Sequence, residues 1–171
     1  MKKKPFITVA IDSPAGAGAG TQSKLISKHY NLFYLDTGKI YRYIGWLRIK
    51  FKKKFTYNFV NKKILNLKNK TLKNKILLSD DVATSASLIA RDKKIRDIVH
   101  KFQQQCAYKP PKKYSGSVLD GRDITSVQMK DAQFKFFITA NLKTRAIRRY
   151  KEYKALKKQI SLKEVLKSIK I

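Results

Sequence analysis

A glycine-rich segment that follows a short apolar run constrains this fold more than any other part of the sequence. The run "FITVAI" (6–11) predicts a buried strand, and the segment "DSPAGAGA" (12–19) leads into the helical pattern "GTQSKLISKHY" (20–30). A strand, a glycine-rich turn and a helix N-terminus form a ready anion site, because free backbone N–H groups and the helix dipole both face the ligand. The alternative is a turn of small residues that binds no ligand.

The segment resembles the nucleotide-binding motif G-x-x-x-x-G-K-[ST] but departs from it at the lysine. The lysine of that motif reaches the β and γ phosphates, whereas this chain has Ala19 at that position and Ser13 in place of the first glycine. Ser13 precedes Pro14 and is therefore expected in the extended region, which serine adopts without strain. Loss of the lysine charge is expected to cost about 3 kcal/mol of transition-state stabilisation, or roughly a hundredfold in rate.

Strand-like and helix-like segments alternate along the rest of the chain, which predicts an α/β fold with a parallel sheet and crossover helices. Further strands are predicted at 32–35, 117–123 and 133–139, and further helices at 36–50, 79–90, 92–108, 141–158 and 161–171. The length of 171 residues suits one domain.

Local signals predict how two of these helices pack and begin. Leu25 and Ile26 of the first helix are expected to face the sheet. Asp36 or Thr37 is expected to cap the second helix.

Two further local predictions concern the middle and the end of the chain. Residues 51–75 are rich in lysine and asparagine without clean periodicity, so a loop-like or weakly structured insert is expected there. Ser161 and Glu164 have the spacing of a capping box at the start of the last helix.

The net charge of +29 raises the hypothesis of a nucleic-acid-binding protein. The lysines, however, are spread along the whole chain together with asparagine and isoleucine, the mixture that an AT-rich genome gives at tolerant surface positions. A solvated basic surface is therefore the favoured interpretation, and nucleic acid is not an expected partner. The charge would still raise association rates for nucleotides.

Cysteine content and hydropathy predict the compartment. The single cysteine, Cys106, excludes an internal disulfide and a cysteine-based zinc cluster, which fits a reducing cytoplasm. The apolar run at 6–11 is too short for a signal peptide core, and no apolar stretch approaches the ~20 residues of a membrane helix. A soluble, cytoplasmic protein without a membrane partner is expected.

Two more polar segments follow predicted strands, namely "LDTGKIYR" (35–42) and "LDGRD" (119–123). In open parallel sheets, ligands bind outside the carboxyl ends of the strands. Arg122 can hold a phosphate bidentately, and Asp120 or Asp123 can serve a metal ion or accept a ligand's hydrogen bonds. Turn chemistry explains each segment singly, but three such segments at three successive strand ends are hard to assign to chance.

At these residues the sequence resembles the bacterial cytidylate kinases, which phosphorylate CMP and dCMP with ATP. The similarity spans 6 to about 50 and 80–171. It rests on "IDSPAGAGAGT", "YLDTGKIYR", "VLDGRDI", "DAQFKFFITA" and "RAIRRY". The resemblance implies the doubly wound parallel sheet of P-loop nucleoside monophosphate kinases. It also implies a single domain over 1–171, in which 51–79 form a reduced CMP-binding insert.

The resemblance further implies roles for individual residues. ATP with Mg²⁺ is expected on Ser13, Pro14, Ala15, Gly16, Ala17, Gly18, Ala19, Gly20 and Thr21, with Arg149 and its neighbours Arg145 and Arg148 on a basic helix able to face the ATP phosphates. The CMP phosphate is expected at Thr37, Arg42 and Arg122, and the cytosine base at Ser87, Arg96 and Asp123. The candidates for catalysis are Asp36, Asp120 and Arg122, of which the two aspartates are candidates for metal contacts, direct or through water.

The chain also departs from this family, and the departures leave alternatives open. Besides Ser13 and Ala19, Thr125 replaces a glycine that usually follows "DGRDI". The sequence ends at "LKEVLKSIKI", where the family continues into a lid and a fifth strand, so "FKFFIT" (134–139) is expected to form an exposed apolar edge, prone to aggregation or oligomer formation. A cytidylate kinase-like phosphotransferase is the prediction. A catalytically inactive nucleotide-binding relative or fragment is the alternative, and a nucleic-acid-binding protein is a third hypothesis. Acceptance of UMP is left open.

Overall fold

The computed structural model describes residues 6–169, which form a parallel sheet with helices on both faces. Its strands are β1 (Ile7–Asp12), β2 (Phe33–Asp36), β3 (Gly116–Gly121) and β4 (Phe134–Phe137). Its helices are α1 (Ala19–Tyr30), α2 (Thr37–Lys50), α3 (Tyr57–Leu65), α4 (Asp80–Ile89), α5 (Lys93–Tyr108), α6 (Leu142–Ala155) and α7 (Leu162–Ile169). Short 3₁₀ turns lie at 52–54, 71–73 and 75–78, and a π-helical turn follows β3 at 124–128.

The four strands stand in the order β2-β3-β1-β4, and every pairing is parallel. The register places Asp12 opposite Gly121, and Asp36 opposite Asp120. The carboxyl ends of three neighbouring strands therefore lie side by side. This arrangement confirms the predicted α/β fold with a parallel sheet.

The sheet is apolar on both faces, as expected of parallel strands covered by helices on either side. In β1, Val9 and Ile11 pack in one cluster that includes Leu32, while Ala10 between them packs in the other. This alternation follows from the two-residue period of a strand. The cluster that contains Ala10 is the larger and extends under α2, α3 and α5.

The prediction for the first helix was half wrong. Ile26 packs against the sheet, but Leu25 is 58% exposed. The buried positions of α1 are Ala19 and Ser23, which are spaced four residues apart and continue to Ile26 three residues later. Leu25 is rotated by about 100° from Ile26 on the helix and so points away from the sheet.

The expectation of a loop-like insert over 51–75 was also wrong, because α3 lies within it. The Thr56 side chain caps this helix by accepting a hydrogen bond from the Phe59 backbone N–H at 3.2 Å. Val60 and Ile64, four residues apart, are fully buried. Two apolar positions suffice for a short helix against α5, and the surrounding lysines and asparagines hide their periodicity in the sequence.

The capping predictions were confirmed. The Asp36 carboxylate accepts a hydrogen bond from the Lys39 backbone N–H at 3.3 Å and caps α2. At the start of α7 the Ser161 backbone N–H donates to Glu164 at 2.8 Å, and the Glu164 N–H donates to the Ser161 hydroxyl at 3.2 Å. This reciprocal pair is the capping box.

Strand β4 pairs with β1 on one side, and no strand within residues 6–169 pairs with its other side. Its three phenylalanines, Phe134, Phe136 and Phe137, are 51%, 46% and 71% exposed. The expected apolar edge is therefore present in the described part of the chain.

Within residues 6–169, no helix combines the length and apolar character needed to span a bilayer.

Candidate active site

A cleft of about 1360 Å³ opens at the carboxyl ends of the strands. The structure brings together in it all the residues given candidate roles above, apart from Arg145. They are Ser13, Pro14, Ala15, Gly16, Ala17, Gly18, Ala19, Gly20, Thr21, Asp36, Thr37, Arg42, Ser87, Arg96, Asp120, Arg122, Asp123, Arg148 and Arg149. The parallel register explains the convergence, because the loops after β1, β2 and β3 all emerge on this edge.

The phosphate loop (residues 13–21) keeps the backbone shape of an anion cradle. Gly16 and Gly18 have left-handed φ angles of 77° and 100°, which glycine adopts at little cost. Ala19 is only 6% exposed, and its methyl group packs against the core cluster that contains Ile11. The alanine therefore completes the packing of the helix start, while residue 19 also borders the cleft.

Asp120 lies in the floor of the cleft and is 5% exposed. The Tyr34 hydroxyl donates to its carboxylate at 3.1 Å. Burial, and after it the nearby charge of Asp36, raises the pKa of Asp120 to about 6. A Cβ atom on Gly20 would stand 3.5 Å from the same carboxylate, so the start of α1 lies directly beside it.

Thr37 joins the start of α2 to the end of β3. Its side chain is buried, and its hydroxyl donates to the Asp120 carbonyl at 2.8 Å. A Cβ atom on Gly121 would lie 2.0 Å from that hydroxyl oxygen, so residue 121 has no room for a side chain. The Thr37 hydroxyl hydrogen is already used within the protein.

Two arginines in the cleft are close enough to repel each other. Arg42 donates to the Leu77 carbonyl at 2.9 Å, and burial, followed by the charge of Arg149, lowers its pKa. Arg149 donates to Glu152 at 2.8 Å and lies 4.8 Å from the centre of the Tyr153 ring. An anion bound near both guanidinium groups would relieve their repulsion.

The residues proposed to read a base lie at the α4–α5 side of the cleft. The Ser87 hydroxyl donates to the Ala83 carbonyl at 3.1 Å, and Arg96 donates to the Arg91 carbonyl at 2.7 Å. Asp123 is exposed and has a left-handed φ of 56°. Arg96 keeps further N–H donors, and Ser87 and Asp123 keep acceptor oxygens, for a ligand.

Sequence reasoning missed Asp12, which organises the loop after β3. Its buried carboxylate accepts from the Ile124 backbone N–H at 2.7 Å and from Thr125 through both the N–H, at 3.0 Å, and the hydroxyl, at 2.5 Å. The loop that carries Arg122 and Asp123 is thereby tied to β1. The signal in the sequence was an aspartate at the end of an apolar strand, since a buried carboxylate there needs partners.

Replacing Asp12 with alanine is expected to lower the free energy of unfolding by about 3 kcal/mol, because a buried and a partly buried N–H group lose a charged acceptor. The KM for the nucleotide that Arg122 and Asp123 are expected to hold should rise with it. Urea unfolding and steady-state kinetics measure both effects. Thr125→Val removes only the hydroxyl bond and is the matched control, with an expected cost of about 1 kcal/mol. Equal losses in the two variants would show that the Asp12 backbone contacts are unimportant.

Comparison with known proteins agrees with this geometry. A family model described as cytidylate kinase matches residues 9–171. The chain is 39% identical over 166 residues to the cytidylate kinase of Bartonella quintana (strain Toulouse), an alignment that covers 95% of this chain and 74% of the relative. It is 38% identical over 176 residues to the cytidylate kinase of Clostridium tetani (strain Massachusetts / E88), covering 95% of this chain and 75% of that relative.

Proposed function

Because this chain belongs to the cytidylate kinase family, we propose that its cleft holds ATP on the phosphate loop and CMP or dCMP between α2, α4 and the 120–123 loop. The reaction is transfer of the ATP γ-phosphoryl group to the nucleoside monophosphate. The observation that carries the assignment of sites is the convergence of the phosphate loop, Asp120 and the cleft arginines at one edge of the sheet.

The CMP side of the proposal rests on donors and acceptors of matching chemistry. Arg42 and Arg122 line the cleft, and we expect them to hold the phosphate of CMP together with the backbone at Thr37. Cytosine offers an amino donor to a carboxylate, and acceptors at its carbonyl and ring nitrogen. Asp123 suits the amino group, while Arg96 and Ser87 suit the acceptors.

Catalysis in this cleft is a matter of positioning and charge neutralisation. An oxygen of the CMP phosphate forms the new P–O bond as the bond from the γ phosphorus to the β–γ bridging oxygen breaks, and ADP leaves with that electron pair. Arg42 and Arg149 border the cleft and lie close to each other, and we expect them to neutralise the transferring group. No side chain of the protein forms a covalent bond to the phosphoryl group in this scheme.

The acidic residues fit a magnesium ion that arrives with the nucleotide. Within residues 6–169, no group of three or more His, Cys, Asp or Glu side chains forms a protein-only metal cage. Asp36 and Asp120 nevertheless lie close enough for Asp36 to raise the pKa of Asp120. Mg²⁺ typically binds through one or two carboxylates together with substrate phosphates, so these two aspartates would hold it. When bound, the ion would neutralise charge on the phosphate oxygens.

The proposal is tested by ADP release from ATP·Mg²⁺ with CMP, dCMP, UMP and AMP offered separately. Turnover is expected with CMP and dCMP and little with AMP, since a purine does not match the Arg96 and Asp123 pair. Asp123→Asn should reduce the preference for CMP over UMP and is the matched variant. Absence of both turnover and CMP binding in calorimetry would contradict the proposal.

A further inference from the structure

Alanine at position 19 leaves the phosphate loop without the cation of its motif. We propose that Arg148, on α6, supplies to the ATP β and γ phosphates the positive charge that a lysine at position 19 would supply. This inference rests on the proposed function, because it assumes that ATP occupies the phosphate loop.

The position of the guanidinium group carries the proposal. Arg148 Nη1 donates to the Ala17 carbonyl at 2.9 Å and lies 3.4 Å from the place of a Cβ atom on Gly18. Both residues directly precede Ala19, and Arg148 borders the cleft. The Arg148 guanidinium group thus lies against the phosphate loop, next to Ala19, where the motif has its lysine.

The packing of α6 holds Arg148 in this place. A Cβ atom on Gly16 would lie 2.6 Å from the Arg145 carbonyl oxygen, so the first turn of α6 is in close contact with the loop. Arg145 Nη1 also donates to the Ala15 carbonyl at 3.3 Å. Residues three apart share a helix face, and Arg148 therefore contacts the same loop as Arg145.

Other cations of the cleft, including Arg149 with its expected role at the transferring group, are less suited to take the place of the motif's lysine on the phosphate loop. Arg149 is paired with Glu152 at 2.8 Å. Lys24 is close enough to Asp120 to oppose the rise in the pKa of that carboxyl. Arg148 makes no salt bridge with any residue between 6 and 169. Its bond to Ala17 uses a neutral acceptor, and its remaining N–H groups can bind phosphate oxygens bidentately.

A double-mutant cycle between positions 19 and 148 tests the proposal. ATP affinity is measured by calorimetry without CMP, and kcat is measured with CMP, for Arg148→Ala, Ala19→Lys, the double variant and the unaltered chain. Arg148→Gln keeps an N–H donor for the Ala17 carbonyl but removes the positive charge. It therefore separates the role of Arg148 in supporting the loop from its role in neutralising the ATP phosphates. Lys151→Ala, at an exposed position one turn along α6, is the matched control. Thermal unfolding and CMP affinity report on the fold.

Arg148→Ala and Arg148→Gln are both expected to weaken ATP binding about tenfold or more and to lower kcat about a hundredfold. In the Ala19→Lys background the same substitutions should cost only a few-fold, since the lysine then carries the charge. An undiminished loss in that background would overturn the proposal, as would an Arg148→Gln variant that matches Lys151→Ala. Because ATP binding is read without CMP, failure of the kinase assignment is distinguishable from failure of this inference.

Discussion

Replacing Asp120 with asparagine is expected to lower kcat on the order of a hundred to a thousandfold while making the folded chain more stable. The loss of rate is the size expected when one preorganised charged group is removed from a site of phosphoryl transfer. The gain in stability has a separate cause. The carboxylate is 5% exposed, and its ionised form is disfavoured by burial and by Asp36.

The sign of the stability change follows from linkage. The pKa of Asp120 is about 6 in the fold against an ordinary 3.8, so the folded state holds the proton to higher pH than the unfolded state. The stabilisation that the protonated Asp120 carboxyl gives the fold is therefore fully present below pH 3.8. It is lost as the pH rises through about 6. The difference corresponds to about 2–3 kcal/mol. Asparagine escapes this cost, so its advantage should be largest above pH ~6 and vanish at acidic pH.

Denaturant unfolding across this pH range, with Asp131→Asn as an exposed control, measures the effect. The unaltered chain should also lose kcat/KM as the pH falls through about 6, because protonated Asp120 is a poor partner for a metal ion. A variant that lost activity and stability together would show that Asp120 has a structural role instead. A burial cost of this kind is expected where a charged group is retained for function.

The parts of the fold that local patterns specify were predicted from the sequence. The order of strands and helices follows from short apolar runs and polar turns, and Asp36 and Ser161 act as caps because capping depends on neighbouring residues. Helix α3 was missed because Val60 and Ile64 are buried only through its packing on the rest of the chain. Tertiary context decides such weak segments.

The same distinction applies to the site. The three polar segments at strand ends were recognisable, because a parallel sheet brings those ends together. The partners of Asp12 lie 112 and 113 residues away in the chain, and Arg148 lies 131 residues from Ala17. No spacing rule relates residues so far apart. Individual contacts between segments therefore had to come from the structure.

Gly121→Ala is expected to lower the free energy of unfolding by about 3 kcal/mol and to weaken CMP binding at least about tenfold. The added Cβ atom would stand 2.0 Å from the Thr37 hydroxyl oxygen and 3.2 Å from Ile124. Thr37 cannot turn away freely, because it is buried at the first position of α2 and bonded to the Asp120 carbonyl. The start of α2 would have to move, and with it the proposed phosphate contacts of CMP.

Because the severe contact involves one oxygen atom, a second substitution should relieve it. Thr37→Ala alone is expected to cost about 1 kcal/mol for the lost hydrogen bond, yet the Gly121→Ala/Thr37→Ala chain should be more stable than Gly121→Ala. Thr37→Ser keeps the oxygen and should give no relief. Gly38→Ala, where the nearest atom would be 3.4 Å away, controls for the loss of a glycine. Denaturant unfolding of these five variants and the unaltered chain measures the coupling between residues 37 and 121. Equal destabilisation with and without the Thr37 oxygen would mean that the β3–α2 contact relaxes by another route.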